Sequence, residues 1–306
     1  MRVVIAGTNS LALLIASYVK EMTSHQLIIL SRFEQPQLKS HGFEVLLVDY
    51  DDDTSVKHAL TGVHTVISTV TGPPQLQLIQ AAVQTGVRRF APAEFEGLPS
   101  NRRANDALDR DKTAALTWLQ HYRRELESTT FACGVFYERF APGGLAAYQI
   151  GLEFGLAGEG DYIMNMRDMR VQAPIYDPQG RTNVIICLTA MRDVAQFVVR
   201  ALDMPSWPAQ LTMYGEKMTV YQLTQLAAEV KGFPSASVQW HDINSLRSEI
   251  VMAEYEDDGE RLLRAHDHVA TIEGRYDVTD RSLNRRFPEI HPLRFRDWLA
   301  QVWSGQ

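Results

Sequence analysis

The chain has 306 residues, of which 45% are hydrophobic, and its 30 basic and 37 acidic side chains give a net charge of −7. This composition fits a folded protein with a large core, in one large domain or two closely joined ones. The acidic balance predicts no general attraction to nucleic acid or to an anionic membrane. No leader-like segment precedes the first strand, and no apolar run nears the roughly 20 residues that span a bilayer, so we expect a soluble, cytoplasmic protein.

Residues 2–12 predict a strand, a tight turn and a helix. Gly7, Asn9 and Ala12 occupy the three positions of the dinucleotide-binding pattern G-x-G-x-x-G/A, with Asn9 in place of the middle glycine. Because asparagine tolerates positive φ, the turn can survive this exchange, with the pyrophosphate moved slightly outward. The predicted cofactor contacts in this turn are Gly7, Thr8, Asn9, Ser10 and Leu11. The pattern by itself is equally compatible with an ordinary strand-turn-helix.

A second buried strand, residues 27–30, ends in Ser31-Arg32 rather than in an acidic residue. A carboxylate here would accept the ribose hydroxyls of NAD, whereas a hydroxyl followed by arginine suits the 2′-phosphate of NADP. The first acid, Glu34, lies two positions beyond Arg32. We therefore predict NADP(H) as the cofactor, with Ser31 and Arg32 beside the 2′-phosphate. The alternative is that Arg32 is a solvated charge at a strand end.

The first half of the chain alternates strands and helices. The predicted strands lie near residues 2–6, 27–31, 43–48, 64–70, 87–92 and 130–136, with helices such as 11–22 and 75–85 between them. This alternation predicts an α/β fold with a Rossmann-type, doubly wound parallel sheet. It fails after residue 144, before a strand at 184–188 and a helix at 192–202. We expect an NADP-binding Rossmann domain over 1–150, rejoined by about 184–204, and a smaller substrate-binding region over 151–306.

Three stretches resemble, in their order and spacing, the NmrA-like and isoflavone reductase-like group of atypical short-chain dehydrogenases. They are residues 48–69, residues 75–97 with the strand end P-A-E-F-E-G, and residues 109–119 beginning D-R-D-K. The resemblance covers residues 2–145 well and the remainder loosely. It implies that Asp49, Tyr50, Thr69 and Val70 flank the adenine and the phosphates.

The resemblance also implies a catalytic lysine, because Lys112 falls where the reductase branch carries one. No Tyr-x-x-x-Lys of the ordinary short-chain dehydrogenases occurs, and Leu108 stands four residues before Lys112. A partly buried ammonium near the cofactor can donate a proton or a hydrogen bond to a developing oxyanion. The alternative is a surface lysine paired with Asp109 or Asp111.

Several further residues are candidates for the substrate side. Glu94 and Phe95 end the strand that matches P-S-E-F-G of the reductase branch, although they could equally be a cap and a core residue. Phe136 and Tyr137 lie near the family's substrate-facing aromatic position, and Tyr137 is a secondary candidate acid. Met side chains adapt to irregular ligands. We therefore include Tyr162, Met164 and Met166 as candidate lining, although plain core is the commoner role of such residues.

No metal site is predicted. The pair His266-x-His268 has no partner acids at ligand spacing, and surface or loop histidines are the favoured interpretation.

Three functions are compatible with these features. The first is an NADPH-dependent oxidoreductase that reduces a polarised double bond in a medium-sized aromatic or heterocyclic metabolite. The second is an NADP-dependent but net redox-neutral cyclase or isomerase in natural-product biosynthesis. The third is a non-enzymatic dinucleotide sensor with a protein partner, as the NmrA-like proteins include. For the enzymes we expect a small-molecule substrate, and a monomer or homodimer suits this size.

Overall fold

The computed structural model describes residues 1–233 and 237–304. The strands are β1 (Arg2–Ala6), β2 (Gln26–Ser31), β3 (Glu44–Leu47), β4 (Thr65–Ser68), β5 (Arg89–Ala91), β6 (Glu127–Ser128), β7 (Thr130–Ala132), β8 (Val135–Phe136), β9 (Met164–Asn165), β10 (Arg170–Pro174), β11 (Ile185–Thr189), β12 (Gln210–Thr212), β13 (Glu216–Thr219) and β14 (Ser237–His241). The helices are α1 (Ser10–Met22), α2 (Pro36–Ser40), α3 (Asp53–Leu60), α4 (Pro73–Gln84), α5 (Lys112–His121), α6 (Met191–Leu202), α7 (Val220–Lys231), α8 (Ile243–Glu256), α9 (Gly259–Ile272), α10 (Ser282–Arg286) and α11 (Phe295–Val302).

A six-stranded sheet dominates the first part of the chain. Its order is β3-β2-β1-β4-β5-β6, and every neighbouring pair is parallel. In β1, four successive residues are fully buried, as expected of a parallel strand covered on both faces. The strand order reverses between β1 and β4, which is where such sheets bind their ligands. The prediction of a Rossmann-type α/β fold is confirmed.

The predicted strand at 130–136 is wrong. The sixth strand of the sheet is the short β6, which precedes this run. Gly134, at φ 72°, divides the run, and its backbone approaches Cys187 so closely that an added Cβ would lie 2.2 Å from the Cys187 carbonyl oxygen. As a result β7 pairs with β12, and β8 pairs with β11 in a different sheet.

The chain forms two compact units. Unit 1 contains residues 1–95, 109–131 and 195–211, and unit 2 contains residues 96–108, 132–194 and 212–306. These units are interleaved along the chain at more points than the expected domains, 1–150 rejoined by about 184–204 and 151–306. The segment 184–204 is itself divided, because β11 pairs with β8 and β13 in unit 2 whereas residues 195–202 of α6 belong to unit 1.

Unit 2 has its own apolar core, assembled around two three-stranded sheets, β13-β11-β8 and β14-β10-β9. Aromatic side chains fill part of it, with the ring centres of Tyr137 and Phe295 5.0 Å apart and the ring planes inclined at 69°. Across residues 1–233 and 237–304, no helix combines the length and apolar character needed to cross a bilayer. The same residues include no cluster of three or more His, Cys, Asp or Glu side chains suited to a metal ion.

Candidate functional site

The turn between β1 and α1 brings the backbone against the end of β4. Gly7 has φ 115°, and a Cβ at this position would lie 2.3 Å from Thr69 Oγ1. Thr69 is fixed in turn, because its N–H and its hydroxyl both donate to the Ala6 carbonyl, at 2.8 and 3.0 Å. Only glycine fits this place without displacing its neighbours.

Asn9 does not use positive φ, so that part of the prediction is wrong. It has φ −69° and caps α1, with its side-chain oxygen accepting the Ala12 N–H at 3.0 Å. Asparagine is one of the best N-cap residues, and this explains why the substitution is compatible with the turn. The amides of Ser10 and Leu11 belong to the first turn and have no acceptor within the helix. They give the end of α1 the character of an anion site.

At the end of β2, Arg32 is exposed, whereas the polar side chains beside it are engaged locally. The Ser31 hydroxyl is used locally, donating to the Phe33 carbonyl at 2.7 Å and accepting the Phe33 N–H at 3.2 Å. Glu34 is paired with Lys39 at 2.7 Å. Arg32 is exposed over the Phe33 ring and, within the described part of the chain, forms no ion pair.

Asp49 and Tyr50 shape the loop that follows β3. The Asp49 carboxylate accepts the Asp51 N–H at 2.9 Å, and the Asp49 N–H donates to Ser55 Oγ at 3.0 Å. Tyr50 is buried, and burial raises the pKa of its hydroxyl above the ordinary value, with a smaller opposing effect of the positive charge of Arg32. Asp49 therefore supports a turn, while Tyr50 lies within electrostatic reach of the exposed guanidinium.

The loop after β4 is braced as well. The Ser68 hydroxyl donates to the Val70 carbonyl at 3.0 Å, and Val70 packs against the core of unit 1. The backbone of Thr69 and Val70 is therefore fixed next to the Gly7 turn, at the point where the strand order reverses.

Lys112 is buried, with 5% of its surface exposed, so the surface-lysine alternative is wrong. It is the first residue of α5 and follows two non-glycine residues with left-handed backbone, Arg110 at φ 54° and Asp111 at φ 59°. The Asp109 carboxylate accepts the Thr113 N–H at 3.1 Å and so closes the first turn of the helix. Asp111 Oδ2 is 3.8 Å from the point where a Cβ on Gly72 would stand. The start of α5 therefore lies beside the loop that follows β4.

The end of β5 places an acid in a buried position. Glu94 is 1% exposed, and the preceding Ala93 N–H donates to Gln75 Oε1 at 2.6 Å. Phe95 stacks on Phe131, with ring centres 5.7 Å apart, and is a core residue of unit 1. Sequence analysis missed Gln75, although a polar residue on the apolar stripe of α4 was a visible signal.

Tyr137 is not suited to act as an acid. It is fully buried in unit 2, and its hydroxyl donates to the Leu293 carbonyl at 2.9 Å. Burial, together with the nearby carboxylates of Glu216, Asp193 and Glu138, raises the pKa of this hydroxyl well above its usual range. The group is therefore engaged in a structural hydrogen bond, and we do not retain it as a catalytic candidate.

The other aromatic and methionine candidates lie in unit 2. Tyr162, Met164 and Met166 belong to its apolar core, and the Tyr162 hydroxyl is 2.8 Å from Thr271 Oγ1. Phe136 is 8% exposed. The plain-core interpretation fits the first three, and none of the four lines the cavity of about 300 Å³ found in this unit.

That cavity is mostly polar. Its lining residues are Gln172, Gln239, His241, Leu246, Glu249, Asp258, Glu260, Arg261, Arg264, Ala265 and His268. The expectation of a surface or loop histidine is wrong for His268, which is 2% exposed, and His241 is also buried, at 7%. Burial lowers the pKa of His268 to about 3, so its ring is neutral.

Comparison with known proteins gives the family. The model of the NmrA-like family matches residues 3–232. The chain belongs to the NmrA-like family. Oxidoreductase BOA1 of Botryotinia fuckeliana (strain B05.10) is 26% identical over 97% of this chain and 98% of its own. Membership in the NmrA-like family confirms the resemblance seen in the sequence.

Solved structures share the fold of this NmrA-like chain. The complex of leucoanthocyanidin reductase and NADPH from Vitis vinifera has a TM-score of 0.74 and 16% identity, covering 98% of this chain and 99% of that one. AtPrR2 with NADP+ and (+)pinoresinol has a TM-score of 0.71 and 18% identity, covering 98% of each chain. At these identities the likeness concerns the fold.

Proposed function

We propose that this protein is an NADPH-dependent oxidoreductase that reduces a polarised C=C, C=N or C=O bond in a medium-sized aromatic or heterocyclic metabolite. The observation that carries the proposal is the burial of Lys112 at the start of α5, in the same unit as the Gly7 turn. The name of the relative BOA1 as an oxidoreductase supports the same reaction class.

The residues of unit 1 fit an NADP(H) molecule laid across the strand ends. The Gly7 turn and the amides of Ser10 and Leu11 would hold the pyrophosphate. Arg32 would hold the 2′-phosphate, because Glu34 is already paired with Lys39. NADP+ and NADPH in two proteins of the same fold support this choice of cofactor.

Bound NADPH would supply the hydride, and the chain would supply the charge stabilisation. The ammonium of Lys112 would donate a proton or a hydrogen bond to the oxygen or nitrogen that becomes negative. Its burial favours this role, because a donor shielded from water stabilises developing charge more strongly than an exposed one. Glu94, also buried, is a candidate group for orienting the substrate or the nicotinamide.

The cofactor assignment can be tested by calorimetry with NADPH, NADP⁺, NADH and NAD⁺. The wild type should prefer the phosphorylated pair, and Arg32→Ala should weaken their binding by about 10- to 150-fold, as expected for a charge-assisted hydrogen bond of about 1.5–3 kcal/mol. Arg88→Ala, at another exposed arginine of unit 1, is the matched control. A wild type that binds no dinucleotide would overturn the proposed function.

The role of Lys112 can be tested by NADPH oxidation with a panel of aromatic enones, quinones and iminium compounds. Lys112→Ala should lower turnover by about 10²- to 10⁴-fold, the usual contribution of a positioned acid. Lys57→Ala, at a lysine on α3 paired with Asp53, should leave it unchanged. Product formed with only a small fraction of one NADP equivalent consumed would favour the redox-neutral reaction. A stable protein complex that responds to the NADP/NADPH ratio would favour the sensor.

A further inference from the structure

The polar cavity of unit 2 is lined by β10, β14, α8, α9 and the loop between the two helices. Its floor includes Gln172 and Gln239, which are paired in register on the parallel strands β10 and β14. A volume of about 300 Å³ lies at the lower end of the range found for small-molecule sites. None of the lining residues is among those proposed to hold NADP(H), so the polar groups of this cavity need a separate explanation.

Two of the acidic side chains at the cavity are already used within the protein. Glu249 accepts two hydrogen bonds from the Arg261 guanidinium, which also pairs with Glu256. Asp258 caps α9 by accepting the Arg261 N–H at 3.1 Å, where the positive end of the helix favours a carboxylate. The charge of Arg261 is therefore compensated internally, and this side chain is not the one left for a ligand.

Arg264 is different, because the hydrogen-bonding capacity of its guanidinium is unused. Among the described residues it donates no hydrogen bond, and its Nε is buried without a partner. Asp161 Oδ1 lies 3.9 Å from its terminal nitrogen, which is too far for a hydrogen bond. Unsatisfied donors are costly in a folded protein. A guanidinium that lines a polar cavity with its donors unused is suited to bind a carboxylate through two parallel hydrogen bonds.

Two neutral imidazoles line the same cavity. His268 lies one turn beyond Arg264 on the same face of α9, and its ring centre is 6.0 Å from that of His241. Burial lowers the pKa of both rings, so both are neutral near pH 7. His268 Nε2 accepts the Ile163 N–H at 3.4 Å, which leaves its proton on Nδ1. Each neutral ring can therefore offer one N–H to an oxygen anion without adding charge to the cavity.

We propose that this cavity binds a small monocarboxylate, held by the Arg264 guanidinium and by the ring N–H groups of His241 and His268. Asp258 and Glu260 also line the cavity, and their negative charges disfavour a ligand with two negative charges, such as a phosphate. The proposal adds a second binding site to the protein and does not depend on the proposed reaction.

Titration with benzoate, followed by NMR of ¹⁵N-labelled histidine rings, reports on this site directly. Benzoate is a suitable probe, because Leu246 and Ala265 give its ring apolar contacts in the cavity. It should shift the His241 and His268 signals to saturation, with a dissociation constant on the order of 1 mM, and leave exposed His58 of unit 1 unchanged. Benzamide, which has a similar shape but no charge, should bind at least about tenfold more weakly. Sodium chloride at equal ionic strength should cause no such shift.

Two variants and a matched control assign the binding to the cavity. Arg264→Met removes the charge and keeps much of the side-chain length, so benzoate should bind about 10- to 150-fold more weakly. Arg285→Met, at an exposed arginine of unit 2 paired with Asp280, should leave binding unchanged. Gln239→Phe places a large ring at the cavity from an exposed position and should also weaken binding. It serves as the test if Arg264→Met does not fold.

The outcomes decide the proposal separately from the proposed function. No saturable shift of the His241 and His268 signals up to about 20 mM benzoate would overturn it. Equal binding of benzoate and benzamide, or of benzoate by the wild type and folded Arg264→Met, would also overturn it. Tighter binding of phenyl phosphate than of benzoate would contradict the choice of a monocarboxylate. A wild type that binds no dinucleotide would overturn the proposed function and leave the benzoate result intact.

Discussion

Gly7→Ala is the sharpest test of the turn between β1 and α1, because two separate costs can be worked out for it. The backbone of Gly7 has φ 115°, and holding a non-glycine residue in such a region costs about 1–3 kcal/mol. The added Cβ would also lie 2.3 Å from Thr69 Oγ1, and overpacking of this kind costs about 1–3 kcal/mol. The expected loss of stability is therefore about 2–6 kcal/mol, a large part of the 5–15 kcal/mol typical of a folded domain.

Gly86→Ala is a matched control for the backbone cost alone. Gly86 follows α4 with φ 73°, and a Cβ there would meet nothing within 4 Å. Its substitution should cost about 1–2 kcal/mol, the usual penalty for a left-handed non-glycine residue. The difference between the two variants measures the steric clash with Thr69 together with the extra backbone cost of φ 115° over φ 73°.

Urea denaturation followed by circular dichroism gives both free energies, and calorimetry with NADPH gives the effect on binding. Adding Thr69→Ala to Gly7→Ala removes the clashing oxygen and should recover part of the lost stability, even though it also removes the hydrogen bond from Thr69 to Ala6. If Gly7→Ala is no less stable than Gly86→Ala, and Thr69→Ala brings no recovery, then the close approach of these two loops is not what requires glycine.

Three further predictions concern unit 2. Burial raises the pKa of Glu138 from 4.5 to about 7, although the Met191 N–H donates to both of its carboxylate oxygens. The folded state therefore keeps a proton that the unfolded state loses, so the free energy of unfolding should fall by up to about 1.4 kcal/mol per pH unit as the pH rises from 4.5 to about 7. Urea titrations of Glu138→Gln should show a smaller fall over the same range. Burial lowers the pKa of His268 from 6.5 to about 3, so the free energy of unfolding should fall as the pH is lowered from 6.5 towards 3. His268→Gln should therefore lose less stability on acidification than the wild type. The same loss in both proteins would contradict the burial argument. Tyr137→Phe leaves the Leu293 carbonyl without its donor and should lower the free energy of unfolding by roughly 1–2 kcal/mol. Substrate-dependent NADPH oxidation should stay unchanged. A 100-fold loss of turnover would instead indicate that the Tyr137 hydroxyl takes part in the reaction.

The part of the site that was predictable from sequence depends on short-range patterns. Buried runs alternating with amphipathic stretches placed β1, β2, β4 and α4 within two residues of their observed ends. Arg32 could be predicted to follow β2 because its position relative to the glycine turn is set by a single strand-helix-strand unit. Within such a unit, geometry follows directly from the number of residues.

Asn9 shows where the same reasoning reaches its limit. Positive φ and N-capping are both common for asparagine, and the residue type cannot distinguish them. Which one occurs depends on how the turn enters α1, and that is fixed by the contact of Gly7 with Thr69, more than sixty residues away. For Lys112, the charged neighbours Asp109, Arg110 and Asp111 alone predict a solvated helix start, and only the family resemblance pointed to a partly buried ammonium.

On the substrate side, sequence alone does not separate a core from a ligand pocket, because both are built from the same residue types. Tyr162, Met164 and Met166 have the composition of an adaptable pocket, and whether they line one depends on what covers them. Here the covering groups come from far along the chain, such as Thr271, which meets the Tyr162 hydroxyl. Polar residues that are distant in sequence, among them His241 and Arg264, line the open cavity of this unit instead. Apolar periodicity therefore predicts which side chains are buried. Whether they belong to a packed core or line a cavity depends on which distant segments of the chain lie against them.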